Sequence, residues 1–303
     1  MFWVDKMVAE IEERFADKIA RGETLIIRDE KTLSGRVHVG SLRGVMVHGA
    51  VAEALMEKGI AVKFLFEIND FDLMDGLPSY LDEATYRPYM GRILNEVPSP
   101  EAGHKNFAEF FASDFAAAVA KTKVPIEYYR SSDVYKSGTY NEVIRLALQN
   151  PEKIRAIYKE VSGGEKKENW LPLQVFCDNC QKVGTTRVET FDGEEVTYTC
   201  EPRLVQWAEG CGHTGKKSPF DGNAKLPWKV EWAAKFRVMN VDIEGAGKDH
   251  STKGGSREIA SRICSEVFEY EAPYDILYEF FLVGGKKMSS SKGSGSSAFE
   301  ISE

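Results

Sequence analysis

Residues 23–41 read ETLIIRDEKTLSGRVHVGS, and the run that follows, LRGVMVHGAVAEAL, carries apolar residues at helical spacing through Leu55. The stretch ETLIIR predicts a short buried strand, and the Ser34-Gly35 and Val39-Gly40 pairs predict turns. The order is therefore strand, glycine-bearing loop, helix. Gly35 and Gly40 present no side chain to an approaching ligand, and the helix N-terminus offers free N–H groups with a partial positive charge. His38 adds a donor for a phosphate oxygen on the same loop. A lone His-x-Gly sequence is a weak signal by itself, since a histidine in such a place is also commonly a structural residue.

Working outward, AVKFLFEI (61–68) predicts the next strand, and Asn69, Asp70, Asp72 and Asp75 collect just after it. In a doubly wound sheet that edge is where ligands bind. Asp70 or Asp72 is suited to a buried cationic group, which demands a paired carboxylate. The competing reading makes these acids a helix cap and a solvated face. Residues 76–100 read as a long connection, 106–121 as a helix, 126–130 as a strand and 137–162 as a helical insertion. From 171 to 216 short β-prone pieces lie between cysteines. Alternation of helix and strand resumes with PWKVEWAAKFRVMNVDIEGAG (227–247), a helix over 256–268 and DILYEFFLV (275–283). The pattern predicts an α/β fold in which a small metal-bound module is inserted.

Composition excludes several classes. At 303 residues with 43% hydrophobic and 28% charged positions, global disorder is excluded, and no apolar run approaches the roughly 20 residues that span a bilayer. The N-terminal MFWVDKMVAEIEERFADKIARG is amphipathic and lacks the features of a secretory signal, so a cytoplasmic protein without a membrane partner is expected. Forty-seven acids against 39 bases give a formal net charge of −8, the wrong sign for bulk electrostatic attraction to nucleic acid. DNA is not an expected partner, and an RNA partner needs a local basic surface.

Four of the five cysteines, Cys177, Cys180, Cys200 and Cys211, fall within 35 residues. The Cys177-Asp-Asn-Cys180 spacing aims two thiolates at one ion about 2.3 Å away, and Cys200 with Cys211 offers a second pair. His213 competes for the fourth position. A closed structural zinc site is the expectation; reduced thiols without metal, or a redox pair, are the alternatives.

The other chemical signal is KMSSSKG at 287–293, where Lys287 and Lys292 frame three hydroxyls on a glycine-flanked loop. Two such lysines make a movable clamp for a triphosphate transition state, while composition alone also fits a solvated linker. Together with the first loop the signal sharpens. SGRVHVGS resembles the HIGH signature and KMSSSKG the KMSKS signature of class I aminoacyl-tRNA synthetases. NDFDLMDGLP, the cysteine module, PWKVEWAAKF and GKDHSTKGGS, all in order, resemble class I lysyl-tRNA synthetase over almost the whole chain.

The resemblance implies a Rossmann-like doubly wound parallel sheet with an inserted helical and zinc-binding module. It implies a catalytic half-domain at 1–134, the connective module at 135–226, the second half-domain at 227–283 and the KMSSSKG loop with a tail at 284–303. It implies ATP, Mg²⁺ and structural Zn²⁺ as cofactors, and L-lysine and tRNA(Lys) as substrates. Carried onto this sequence, His38, Ser41, Lys287 and Lys292 become the catalytic set. ATP contacts fall on Ser34, Gly35, His38, Gly40, Ser41, Asp249, Met288 and Ser289. The amino-acid site draws on Glu30, Thr32, Asp70, Asp72, Trp228, Trp232, His250 and Tyr278, and the metal on Cys177, Cys180, Cys200 and Cys211.

Three positions depart from the family pattern. Ser41 replaces the second histidine of HIGH, Ser290 stands at the second lysine of KMSKS, and Glu30 takes a place where a small residue, often Gly, is expected. Glu30 then either pairs with the substrate ε-ammonium, or fills the pocket and changes the amino acid, or sits exposed against Lys31 or Arg28. The expected function is activation of L-lysine to lysyl-adenylate and transfer to tRNA(Lys). An adenylating paralogue with another amino acid or acceptor, and a non-catalytic tRNA-binding remnant, are the alternatives. The family continues into an anticodon-reading helical domain after the KMSSSKG loop; with Glu303 following so soon, a catalytic-domain fragment is expected ahead of a natural shortened paralogue.

Overall fold

The computed structural model describes residues 2–279, 282–283 and 286–287. Its centre is a parallel sheet in which β2 (Val62–Asn69) lies between β1 (Leu25–Thr32) and β3 (Ile126–Arg130). Beyond β1 the sheet continues through residues 241–247 and 274–278. Ile243 bridges Ile27 on one side and Tyr274 on the other, both in parallel. The Arg28 amide donates to Ile243 O at 2.9 Å and the Glu244 amide to Tyr274 O at 3.0 Å. The spatial order is thus that of a doubly wound sheet, with its switch point between β1 and 241–247.

β1 runs four residues past the strand expected from sequence, through Asp29 to Thr32. Charged residues are poor strand formers, and this extension carries Glu30, whose carboxylate finds the buried partners described below, and Thr32, which donates to Asp72. Successive residues face opposite sides of the sheet. Leu25 and Ile27 therefore pack with Val4, Val8 and Ile11 of α1 (Trp3–Arg14) and Val51 and Leu55 of α2 (Leu42–Glu57). On the same side α3 (Phe107–Ala120), capped by Asn106 accepting from the Glu109 amide at 2.8 Å, lays Phe111 and Phe115 on Phe66 and Ile68.

The stretch after β3 folds as α4 (Ser131–Lys136), α5 (Asn141–Gln149) and α6 (Pro151–Ser162). Pro151 starts α6, and Gly163, at φ 67°, ends it in the left-handed conformation that glycine adopts without strain. A three-stranded antiparallel sheet of Thr186–Phe191, Val196–Cys200 and Thr214–Lys217 follows. Phe71 stacks on Tyr135, and Tyr135 on Tyr140 at 3.9 Å, which ties these helices to the end of β2. The chain returns to the sheet through α7 (Trp228–Val238) and α8 (Ser256–Glu266), which share the largest buried core with the helical insertion. No helix among the described residues is long and apolar enough to cross a membrane.

Candidate active site

A cavity of about 360 Å³ opens at the carboxyl ends of β1 and 241–247, at the switch point. One wall comes from the 3₁₀ turn Val39–Ser41 and the first turn of α2, where His38, Gly40, Ser41, Arg43 and Gly44 meet. The opposite wall is aromatic. Trp228 and Trp232, one turn apart on α7, stack at 6.2 Å with 14° between planes, and His250 stands edge-on to both. Residues 29–32 of β1 cross between the two walls, and Glu244 to Gly247, Asp249 and Tyr278 close the end.

The cavity therefore gathers His38, Gly40, Ser41, Asp249, Glu30, Thr32, Trp228, Trp232, His250 and Tyr278 from the sequence expectation. Ser34 and Gly35 do not line it. Asp70 is also elsewhere: it is buried, accepts from the Ser132 amide at 2.9 Å and the Ser132 hydroxyl at 2.7 Å, and so caps α4. The helix-cap reading is the one the geometry adopts, because a buried carboxylate goes where several donors converge. Asp72 does not line the cavity either; it accepts from Thr32 Oγ1, which does, at 2.9 Å. Lys287 pairs with Leu282 in the antiparallel hairpin of Leu282–Val283 with Lys286–Lys287. Met288, Ser289 and Lys292 fall outside the described residues.

Glu30 is neither exposed nor free. Its carboxylate pairs with Arg28 and lies 2.6 Å from Lys235 Nζ. Burial alone would raise its pKa, but Lys235 and Arg28 override that and hold it well below the usual carboxylate range. These contacts belong to a buried network. The Arg28 side chain, 0% exposed, donates to Glu244 and Glu67 at 2.5 Å each, and to the Tyr129 hydroxyl at 2.7 Å. That hydroxyl in turn donates to Glu67 at 2.7 Å. Lys235 reaches Glu67 at 2.8 Å, Lys225 reaches Glu231 at 2.5 Å, and the Trp232 indole N–H donates to Glu244 at 2.5 Å. Alternating signs let each charge forgo water.

His48 of α2 fastens the first wall to the strand beyond β1. Its Nδ1 lies 2.7 Å from Gly44 O and its Nε2 accepts from the Gly245 amide at 2.7 Å, which selects the Nδ1–H tautomer. Sequence reasoning missed this residue, along with Asp29, Lys31, Arg43 and Glu244. The first two stand inside the quoted opening stretch, where four consecutive charged or polar residues on a strand was the available signal.

Away from the cavity, the Sγ atoms of Cys177, Cys180, Cys200 and Cys211 all lie within 4.8 Å of one another. Cys177 to Cys211 is 3.5 Å and Cys180 to Cys200 is 3.7 Å. A tetrahedral ion with metal–sulfur bonds of about 2.3 Å needs sulfurs about 3.8 Å apart, so the four thiols fit a metal. The Cys211 amide donates to the Cys200 sulfur at 3.3 Å, an outer contact that orients it. His213 stays outside the cluster, with its ring beside Tyr198.

The family model for tRNA synthetases class I (K) matches residues 1–303. The chain belongs to this family. Among curated relatives of this class I (K) chain, "Lysine--tRNA ligase" of Archaeoglobus fulgidus is 34% identical over 295 residues, covering 97% of this chain and 56% of that one. The protein of the same name from Methanocaldococcus jannaschii is 36% identical over 301 residues, covering 97% and 54%. That of Pyrococcus furiosus is 35% identical, covering 96% and 54%. The chain thus spans about half the length of the curated relatives it matches. Among solved structures, tyrosyl-tRNA synthetase from Aeropyrum pernix aligns with a TM-score of 0.47 at 15% identity, over 95% of this chain and 66% of that one.

Proposed function

We propose that this chain activates L-lysine with ATP to lysyl-adenylate and serves its transfer to tRNA(Lys), as the catalytic portion of a lysine–tRNA ligase. The observation that carries the reading is the switch-point cavity, where a helix N-terminus with His38, Gly40 and Ser41 faces an aromatic box amid carboxylates. The first half suits the phosphates of ATP, and the second, with the carboxylates of β1 beside it, suits an amino acid with an alkyl ammonium chain.

In the first step the lysine carboxylate oxygen attacks the α-phosphorus, forming the acyl–phosphate bond as the bond to pyrophosphate breaks and its electron pair leaves with pyrophosphate. No covalent protein intermediate is required. His38 and the α2 N-terminus hold the phosphates in line and meet the charge that builds on them. Lys287 and Lys292 are assigned to the leaving pyrophosphate. Mg²⁺, when bound to the triphosphate, neutralises part of that charge. Asp249 and Ser41 are assigned to the nucleotide, and Thr32, Trp228, Trp232, His250 and Tyr278 to the amino acid. The second step is attack by the 3′-terminal adenosine of the tRNA on the adenylate carbonyl, with AMP leaving.

The same reading divides the chain at 1–134, 135–226, 227–283 and 284–303. It assigns Zn²⁺ to Cys177, Cys180, Cys200 and Cys211, where a closed four-sulfur site organises the inserted module and leaves no position for substrate. A cytoplasmic site of action follows from the substrates.

A second reading is favoured by Glu30 and Lys31, two charged residues on the cavity lining: an adenylating enzyme for a different amino acid. Lysine-dependent ATP–pyrophosphate exchange separates the two, with ornithine, arginine and glutamate as controls. Exchange with lysine alone is expected; exchange with glutamate in its place would transfer the assignment to the second reading.

A further inference from the structure

Asp29 and Lys31 lie two residues apart on one face of β1, the face turned to α2, and both line the cavity. Among the described residues neither has an ion-pair partner within salt-bridge distance other than His48. Asp29 Oδ1 accepts from the Glu30 amide at 2.8 Å, and Oδ2 stands 3.8 Å from His48 Nδ1, a nitrogen already engaged by Gly44 O. Among the described residues the Lys31 side chain has no hydrogen bond or ion pair within 4 Å, and Asp29 and Glu30 are the charges that act on it. This is the reverse of the neighbouring face, where Arg28 and Glu30 are fully paired.

Space for Asp29 is made by Gly44. A Cβ on that glycine would lie 2.4 Å from Asp29 Oδ2 and 3.3 Å from the Tyr278 hydroxyl. The carboxylate thus occupies a notch under the first turn of α2, and its side chain is only 13% exposed. Burial pushes its pKa up to about 6, because the charged form is poorly solvated there. Burial also lowers the Lys31 pKa, against the pull of Asp29 and Glu30.

We propose that Asp29 binds the ε-ammonium of the substrate and Lys31 its α-carboxylate, so that the two-residue step along β1 measures the length of the amino acid. The inference rests on the lysine reading above. β1 ends at Thr32, the edge where ATP phosphates and the reacting carboxylate must meet; Lys31 is one residue below that edge and Asp29 three. Two residues on one face of a parallel strand are roughly 6.6 Å apart. An extended lysine spans about 7 Å from ε-nitrogen to carboxylate at ordinary bond lengths. Glu30 takes no part in cation recognition, because Arg28 and Lys235 already neutralise it.

The test is ATP–pyrophosphate exchange by this chain with lysine, ornithine and norleucine, for the wild type, Asp29→Asn, Gly44→Ala and Lys31→Met, each with a melting curve. Norleucine keeps the stem of lysine and lacks the ammonium; ornithine is one methylene short. Asp29→Asn is expected to raise KM for lysine roughly 100-fold and to collapse the preference for lysine over norleucine. Gly44→Ala, which leaves the carboxylate in the chain but displaces it, should move the same ratio and serves if the first variant fails to fold. Lys31→Met should raise KM for all three amino acids alike. Folded Asp29→Asn and Gly44→Ala variants that keep the wild-type lysine-to-norleucine ratio overturn the proposal and leave the lysine reading intact. A wild-type chain that exchanges with another amino acid, or with none, overturns both.

Discussion

The Lys235 ammonium lies 2.6 Å from the Glu30 carboxylate, and this single contact turns a residue that looks like a ligand into part of the scaffold. Lys235 is 2% exposed and shares itself with Glu67, so removing it leaves two interior acids to share the single charge of Arg28. Lys235→Met is therefore expected to cost about 3–5 kcal/mol of stability, measured by denaturant unfolding. A loss well under 1 kcal/mol would show that water reaches these carboxylates.

Asp29 sets a pH dependence. Its folded pKa of about 6 lies above its ordinary 3.8, so the stability it contributes to the empty protein is full below about pH 4 and is lost as pH rises through 6. The groups that act on it are His48 on α2, Tyr278 and Lys31, with Arg28 and Glu244 acting from the opposite face of β1. Binding of an ammonium needs the ionised form, so the trend with ligand runs the other way. KM for lysine should fall as pH rises from 5 to 7 and then level off, and saturating lysine should raise the melting temperature more at pH 7.5 than at pH 5.5. A flat KM over that range would remove Asp29 from lysine recognition.

For His38 the expected signature is kinetic. His38→Ala should lower the exchange kcat by roughly 100-fold with a smaller change in the KM for lysine, because the contact proposed for it with the phosphates would strengthen as charge develops. Lys287→Ala should show the same pattern at the leaving group. Equal losses in kcat and in lysine affinity would assign either residue to ground-state binding.

The four-cysteine cluster makes a prediction about folding. Cys177→Ser is expected to abolish a stoichiometric bound metal, measured by elemental analysis, and to lower the melting temperature in the same preparation. Full thermal stability in a metal-free variant would leave the thiols without a structural ion.

How much of this was legible beforehand depended on whether the signal was local. The strand, turn and helix around SGRVHVGS were readable because glycine placement and apolar spacing are properties of neighbouring residues. Asp70 was ambiguous for the opposite reason: its donors, Ser131 and Ser132, lie some 60 residues away, and nothing near Asp70 announces them. Glu30 was readable as an anomaly and not as a solution, since Lys235 comes from α7, 205 residues downstream. The cysteines showed through their own spacing, whereas the choice against His213 needed the hairpin register that turns its ring toward Tyr198.

The hydrogen bond from the Gly245 amide to His48 joins positions 197 residues apart, and Asp242 likewise receives the Ile26 amide and the Lys18 ammonium. A nascent chain emerging from the ribosome can form β1, α2 and β2 early, yet the cavity between them has no far wall until residues 241–247 arrive. Loop closure over that distance is slow, so the turn bearing His38 waits half-built until those residues have emerged. The cavity is thus complete only once that span has been made, and a change at Gly245 would act on the time of its assembly as well as on the finished site.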